Sequence, residues 1–262
     1  MHPPESGRVA VKYNRVPKVT ADFWLIKLMA VTMGETAADY LSVQMRLGLT
    51  ATSIVMSVIL VAALFWQFRQ KRYVPGSYWL AVILISVVGT LITDNLVDNF
   101  HVPLIVTTVV FSIALAATFA LWFWSERTLS IHSIFTTRRE SFYWLTILFT
   151  FALGTAAGDL VAEQFSLGYL PTGILFAMVI LSLSIGYFSL GLDAILGFWL
   201  VYILTRPLGA SFGDLLSQPS QYGGFGLGTI ITSAIFLAAI LAIVIYMTVR
   251  HEGEEAVAVE QG

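Results

Sequence analysis

The chain contains no cysteine, which removes disulfides, thiolate metal sites and cysteine nucleophiles together. Charge is almost as scarce. Asp, Glu, Lys and Arg make up 11% of the 262 residues, whereas a soluble domain carries about 25%. Net charge is −2 and no basic domain is present, so nucleic acid is not an expected partner. The polar first 22 residues lack the apolar core and small-residue cleavage site of a signal peptide. No HExxH and no Ser/His pairing falls within an apolar segment, so no enzyme is expected. What the chain has in quantity is hydrophobic side chain, 57% of residues, with a mean hydropathy of +0.81. This is the composition of an integral membrane protein, whose first partner is the lipid bilayer.

A spanning helix needs about 20 predominantly apolar residues. Eight such segments are legible, at 23–44, 49–68, 78–98, 103–124, 142–163, 169–189, 193–209 and 227–249. They form one transmembrane domain over 23–250, between a polar tail (1–22) and an acidic tail (251–262), with repeats at about 23–77, 78–141, 142–192 and 193–250. Basic residues set the orientation. Arg8, Lys12, Arg15 and Lys18 precede the first helix; Arg69, Lys71 and Arg72 follow the second; Arg127, Arg138 and Arg139 follow the fourth. The opposite loops offer Arg46 and His101. The expected fold is an all-α polytopic membrane protein with eight transmembrane helices, arranged as four parallel two-helix hairpins, both termini cytoplasmic.

The repeat is carried by one motif. Trp24, Trp79, Trp144 and Trp199 are each followed by Gly34, Gly89, Gly154 and Gly209, and then by Asp39, Asp94, Asp159 and Asp214. Trp-x9-Gly-x4-Asp thus recurs four times, at spacings of 55, 65 and 55 residues. At 1.5 Å per residue, each Gly lies about 15 Å and each Asp about 22 Å beyond its Trp. The tryptophans read as interfacial anchors, with an apolar ring and a polar N–H. The glycines read as helix-packing positions, because Gly154/Gly158 and Gly209/Gly213 form small-xxx-small patches that let backbones approach.

The acids resist so simple an account. Glu35 with Asp39, Asp94 with Asp98 and Asp159 with Glu163 stand four residues apart, where like charges destabilise a helix. They also lie toward helix C-termini, where the macrodipole disfavours anions. Intramembrane carboxylates mark functional sites by default, so Glu35, Asp39, Asp94, Asp159 and Asp214 are candidate ion or proton sites. Arg206, before Pro207, is a candidate counter-ion to an acid on another helix; Lys27 lies near the inner interface. Oxygen ligands without Cys or embedded His suit Mg²⁺, Ca²⁺ or Mn²⁺, with Asp39, Asp94, Asp159 and Asp214 as the candidate metal set. Protons suit equally, since burial favours the neutral carboxyl. No resident cofactor is implied beyond a bound divalent cation.

Gly-Glu-Thr-Ala-Ala-Asp (34–39), Ser-Ile-His-Ser (130–133), Ala-Leu-Gly-Thr-Ala-Ala-Gly-Asp (152–159) and Thr-Arg-Pro-Leu-Gly-Ala-Ser (205–211) resemble an uncharacterised family. Its members are bacterial membrane proteins of four tandem two-helix repeats, each with a characteristic tryptophan. The resemblance covers about 20–250 and implies a bacterial inner-membrane location, but brings no activity with it. The expectation is therefore drawn from the acids: a transporter or exporter of a small cation, a divalent metal ion in the first instance, with proton coupling as a variant. The alternatives are a proton or cation channel and a non-transporting sensor or scaffold subunit. One chain enclosing the path and a homo-oligomer both remain open.

Overall fold

The computed structural model describes residues 13–260, with side chains up to Val249. Arg8 and Lys12 of the basic tail, and the side chains of the acidic tail, lie outside the described residues. Eight helices follow one another: α1 (Ala21–Asp39), α2 (Leu49–Phe68), α3 (Pro75–Asp94), α4 (Leu104–Glu126), α5 (Thr137–Asp159), α6 (Tyr169–Leu190), α7 (Ala194–Ser217) and α8 (Thr229–Glu260). No strand occurs among the described residues. Helix starts follow local chemistry. Thr20 and Thr136 accept N-capping bonds from Phe23 and Arg139, Asp193 caps Ile195 and Leu196, and Pro75 opens α3. The seven helices α2 to α8 are long and apolar enough to cross a membrane, so this is a multi-pass membrane protein. α1 falls outside that count because Asp22, Lys27, Glu35 and Asp39 crowd it with charge.

The motif helices form a closed ring, α1 against α3, α3 against α5, α5 against α7, and α7 back against α1. The glycines make that ring possible. A Cβ on Gly34 would overlap Ser86, one on Gly89 would lie 2.8 Å from Phe151 Cβ, one on Gly154 would overlap Arg206, and one on Gly209 would lie 2.8 Å from Val31 Cβ. Counted from each tryptophan, Val31, Ser86, Phe151 and Arg206 share position +7, and every glycine is at +10. Each glycine therefore admits the +7 side chain of the next repeat, and the fourth passes the pattern back to the first. One offset kept at all four seams requires the inner helices to run in the same direction and register. At each of the four glycines a side chain of the neighbouring helix occupies the place of a Cβ.

Three expectations change. The two helices of a repeat are not a self-packed hairpin: α2 lies against α3, α4 against α5, α6 against α7 and α8 against α1. Each outer helix covers the next repeat's inner helix, so the repeats interlock and α8 completes the circle. α7, expected to end at 209, continues through Pro207 to Ser217. Pro207 is accommodated because its ring packs over Gly154 and Gly158 of α5, 3.2 and 3.4 Å from where their Cβ atoms would stand. Finally, three of the four tryptophans are not interfacial anchors. Trp79, Trp144 and Trp199 are 1%, 3% and 4% exposed. Their N–H groups donate inside the protein to the Tyr73 hydroxyl, the Glu140 carboxylate and the Leu129 carbonyl, so burial leaves no polar atom that needs the headgroup region.

Filling one glycine groove should strain the ring. Gly154→Ala is expected to destabilise by about 1–3 kcal/mol, the usual range for overpacking. Gly186→Ala, where a new Cβ meets nothing within 4 Å, is expected to be neutral or slightly stabilising. Thermal unfolding of both variants in detergent checks the contrast.

Candidate functional site

Position +11 of the repeat, one turn past +7, holds Glu35, Thr90, Thr155 and Ala210. The first three converge on one guanidinium. Arg206 Nη2 donates to Glu35 Oε2 at 2.8 Å, to Thr155 Oγ1 at 2.7 Å and to Thr90 Oγ1. Thr90 also donates to Glu35 Oε2 at 3.2 Å. Arg206 is fully buried and Glu35 is 6% exposed. The fourth +11 position is alanine, on the helix that supplies the arginine, so the cluster takes one group from each repeat. Its Nε and Nη1 are buried with no protein acceptor; of its donor atoms, only Nη2 is engaged. Arg206 thus forms an ion pair with Glu35, an acid on another helix.

Toward the tryptophan end lies a second cation. Lys27 is fully buried and donates to the Tyr202 carbonyl at 2.6 Å and to Thr205 Oγ1. Its ammonium sits 3.9 Å above the Tyr202 ring centroid. Lys27 and Arg206 both approach the Phe151 ring, at 5.7 and 5.5 Å from its centroid. The two cations thus share one aromatic neighbour, and Lys27 is enclosed by protein. Below them, Tyr78 and Tyr143, the residues preceding two of the motif tryptophans, join their hydroxyls and stack within an aromatic layer that includes Phe23, Phe198 and Tyr202.

At the other end the acids gather. Asp39, Asp94 and Asp159 are partly exposed, Asp214 is 9% exposed, and Asp98 and Glu163 are exposed beyond them. Asp94 is within electrostatic reach of Glu35, Asp39 and Asp159; Asp214 is within reach of the same three. Gln218 donates to Asp39 across the α7–α1 seam at 3.5 Å. Asp39 and Asp159 are thus each within electrostatic reach of the other three motif acids, with Glu35 and Arg206 beneath. They do not form a chelating group: among the described residues, no three Asp, Glu or His side chains stand close enough to hold a metal ion.

A backbone feature coincides with three of these acids. After Asp39, Asp94 and Asp159 the helix widens into a single π-turn, Tyr40–Gln44, Asn95–Asn99 and Leu160–Gln164. Each is closed by an i→i+5 bond, Met45 to Tyr40, Phe100 to Asn95 and Phe165 to Leu160. Each ends on a left-handed residue, Arg46, His101 or Ser166. π-turns recur at functional sites, and here they fall where the acids emerge from the ring. α7 has no such turn; it carries Pro207 instead.

Sequence reasoning missed Thr90 and Thr155 as partners of Arg206. Their signal was the same offset from tryptophan as Glu35, obscured because the residue type changes. It also missed Glu140, fully buried at the tryptophan end. Glu140 accepts from Arg15 at 2.7 Å, from Gln67 at 3.2 Å and from Trp144 at 3.4 Å, pinning the incoming chain onto α5.

The ring, its interlocked outer helices and the fourfold motif define a class: an α-helical, multi-pass membrane protein built by cyclic repetition. The repeat is the one described as Repeat of Unknown Function (DUF347), which matches residues 23–73, 77–128, 142–190 and 197–252; the chain belongs to that family. No curated protein and no solved structure matches it.

Breaking the central pair from one side strands a buried charge. Glu35→Ala and Arg206→Met are each expected to cost about 3–5 kcal/mol. The double variant is expected to cost clearly less than their sum, as a double-mutant cycle on thermal unfolding will read.

Proposed function

We propose that the protein is a transporter or exporter of a small cation in the bacterial inner membrane, with eight spans and both termini in the cytoplasm. α1 occupies in the ring the position that α3, α5 and α7 occupy in theirs, and those three are long and apolar enough to span. This supports counting α1 as the eighth span, its charges facing protein instead of lipid. Arg69, Lys71, Arg72 and Arg127 lie on loops at the tryptophan end, with Arg138 and Arg139 in the first turn of α5, which supports placing that end in the cytoplasm.

The observation that carries the proposal is the meeting of Asp39, Asp94, Asp159 and Asp214, one from each repeat, at the end of the ring opposite the aromatic layer. Carboxylates gathered between low-dielectric walls focus a negative potential and concentrate cations. Because no three of them stand close enough to chelate, the cation proposed is a divalent ion that keeps part of its water shell, as Mg²⁺ characteristically does. Protons exchange on the same carboxylates when the ion leaves. Arg206 is the internal counter-ion. It neutralises Glu35 in the unloaded state, and an arriving cation competes with it for that carboxylate, giving the two differently occupied states that alternation needs. Lys27 and the tyrosine layer then close the cytoplasmic side. One chain completes the ring, so the path belongs to a single protomer.

Uptake of Mg²⁺ and Mn²⁺ into vesicles reconstituted with the purified protein tests this. Asp159→Asn and Asp39→Asn are each expected to lower uptake at least tenfold while leaving the amount of reconstituted protein unchanged. Uptake at the wild-type rate in both variants would sink the proposal.

A further inference from the structure

The four seams of the ring are equivalent in backbone but not in how they are filled. Each seam presents a motif tryptophan outward, toward the outer helix that precedes it in the circle. At the α5–α7 seam, Trp199 meets two aromatic rings of α4, Phe119 at 5.1 Å and Trp122 at 5.8 Å between centroids. Trp122 is fully buried and Trp199 nearly so. At the α3–α5 seam, the residue of α2 corresponding to Trp122 is Gln67, at the 55-residue spacing. It too is fully buried, bonded to Glu140 beside Trp144 and to Ser77.

At the α7–α1 seam, where the last repeat meets the first, this filling fails. The residues of α6 corresponding to Phe119 and Trp122, at the 65-residue spacing, are Ser184 and Tyr187. A ring is replaced by a hydroxymethyl group and an indole by a phenol. The volume removed is visible: a cavity of about 570 Å³ lies there, lined by Trp24, Ser184, Tyr187 and Phe198, with Ser130 and His132 at its lip. Trp24 is the one motif tryptophan left partly exposed. A cavity of this size, with aromatic walls and a few polar groups, has the character of a ligand site.

The position of the opening selects the ligand. α6 buries only Thr172 and Gly173, so most of the surface that it does not press against α7 faces the surroundings of a multi-pass protein. Leu181, Ile185, Phe188 and Leu190, next to the cavity wall, are exposed apolar residues of that surface. The cavity therefore continues the lipid-facing surface inward, between α6 and α1. Its polar lip is formed by the loop at the tryptophan end, where helices meet the headgroup region. We propose that this cavity is a membrane-lipid site, in which one acyl chain enters laterally along Trp24 and Phe198 and takes the place that Phe119 and Trp122 fill at the neighbouring seam. The headgroup lies against Ser130 and His132. The lipid thus wedges the seam at which the ring is closed by the first and last repeats. This inference is independent of any transported ion.

Restoring the missing side chains tests the site. Protein purified in detergent is compared with Ser184→Phe and the Ser184→Phe/Tyr187→Trp pair by native mass spectrometry, with palmitoyl-oleoyl phosphatidylethanolamine and phosphatidylglycerol as probes. Wild type is expected to retain one lipid that the filled variants lose, and added lipid should raise the unfolding temperature of wild type but not theirs. As a check that needs no refilled variant, lipids brominated on the acyl chain should quench a component of the fluorescence that disappears in Trp24→Phe. Equal lipid retention and equal stabilisation in wild type and Ser184→Phe overturns the proposal. So does quenching that Trp24→Phe leaves unchanged. If Trp24 is unquenched in wild type and becomes quenched on deletion of residues 2–12, the occupant is the chain's own tail and the lipid assignment is overturned.

Discussion

Everything in this fold depends on the inner helices coming close enough for side chains to cross from one backbone to the next. In lipid there is no hydrophobic gain from pressing apolar helices together; contact itself must supply the attraction. Gly34, Gly89, Gly154 and Gly209 provide it by giving up the Cβ at the one position where the neighbouring +7 side chain arrives. Because the same offset serves at all four seams, a single local rule generates a closed circle. Closure has a practical consequence: no inner helix is terminal, so each polar group facing the axis is screened from lipid on both sides.

That screening is what lets the axis carry charge. Lys27, Glu35 and Arg206 would be costly on a lone helix in a bilayer, yet here each is enclosed by three other helices. The positions around the axis divide by tolerance. At +10 the residue is glycine in every repeat, because any Cβ would displace the next helix. At +7 and +11 the demands are looser, and the repeats diverge into Val31, Ser86, Phe151 and Arg206, and into Glu35, Thr90, Thr155 and Ala210. The cluster around Arg206 is assembled from this divergence. A strictly symmetric ring would have placed four arginines or four glutamates at one level, with unlike charges nowhere to meet.

The parts legible in sequence were those that repeat in identity. Trp-x9-Gly-x4-Asp exposed the four copies, the apolar runs located the helices, and the small residues of 154–158 announced close packing. Arg206 could be assigned to an acid on another helix because Asp214 is too far along its own. What sequence left hidden was pairing between helices. Glu35 and Thr90 look unrelated until their common distance from tryptophan is set beside a common target. The buried state of Trp79, Trp144 and Trp199 was hidden for a chemical reason: an indole N–H is satisfied as well by Glu140 or the Leu129 carbonyl as by a headgroup. The passage of α7 through Pro207 needed knowledge of the groove at Gly154 and Gly158, which lies on a different helix.

The same logic of repetition and departure explains why the seam between α7 and α1 is singular. In a linear chain folded into a circle, three seams join consecutive repeats and one joins the ends. The closing seam cannot rely on a short connection to hold its helices in register, so it depends on the contacts made across it. α8 returns to cover α1 from outside, and Gly209 receives Val31 within the ring. The outer surface of that seam, however, is left to α6, whose Ser184 and Tyr187 line a cavity beside Trp24. Inside the ring that seam is spanned by polar contacts: Lys27 donates to the Tyr202 carbonyl and Thr205, Thr32 to the Gly209 carbonyl, and Gln218 to Asp39. It is also the seam that positions Arg206 against Glu35, since those residues belong to α7 and α1. Loosening it would separate the central ion pair directly, so the closing seam of the scaffold and the buried charge pair at its centre are one mechanical unit.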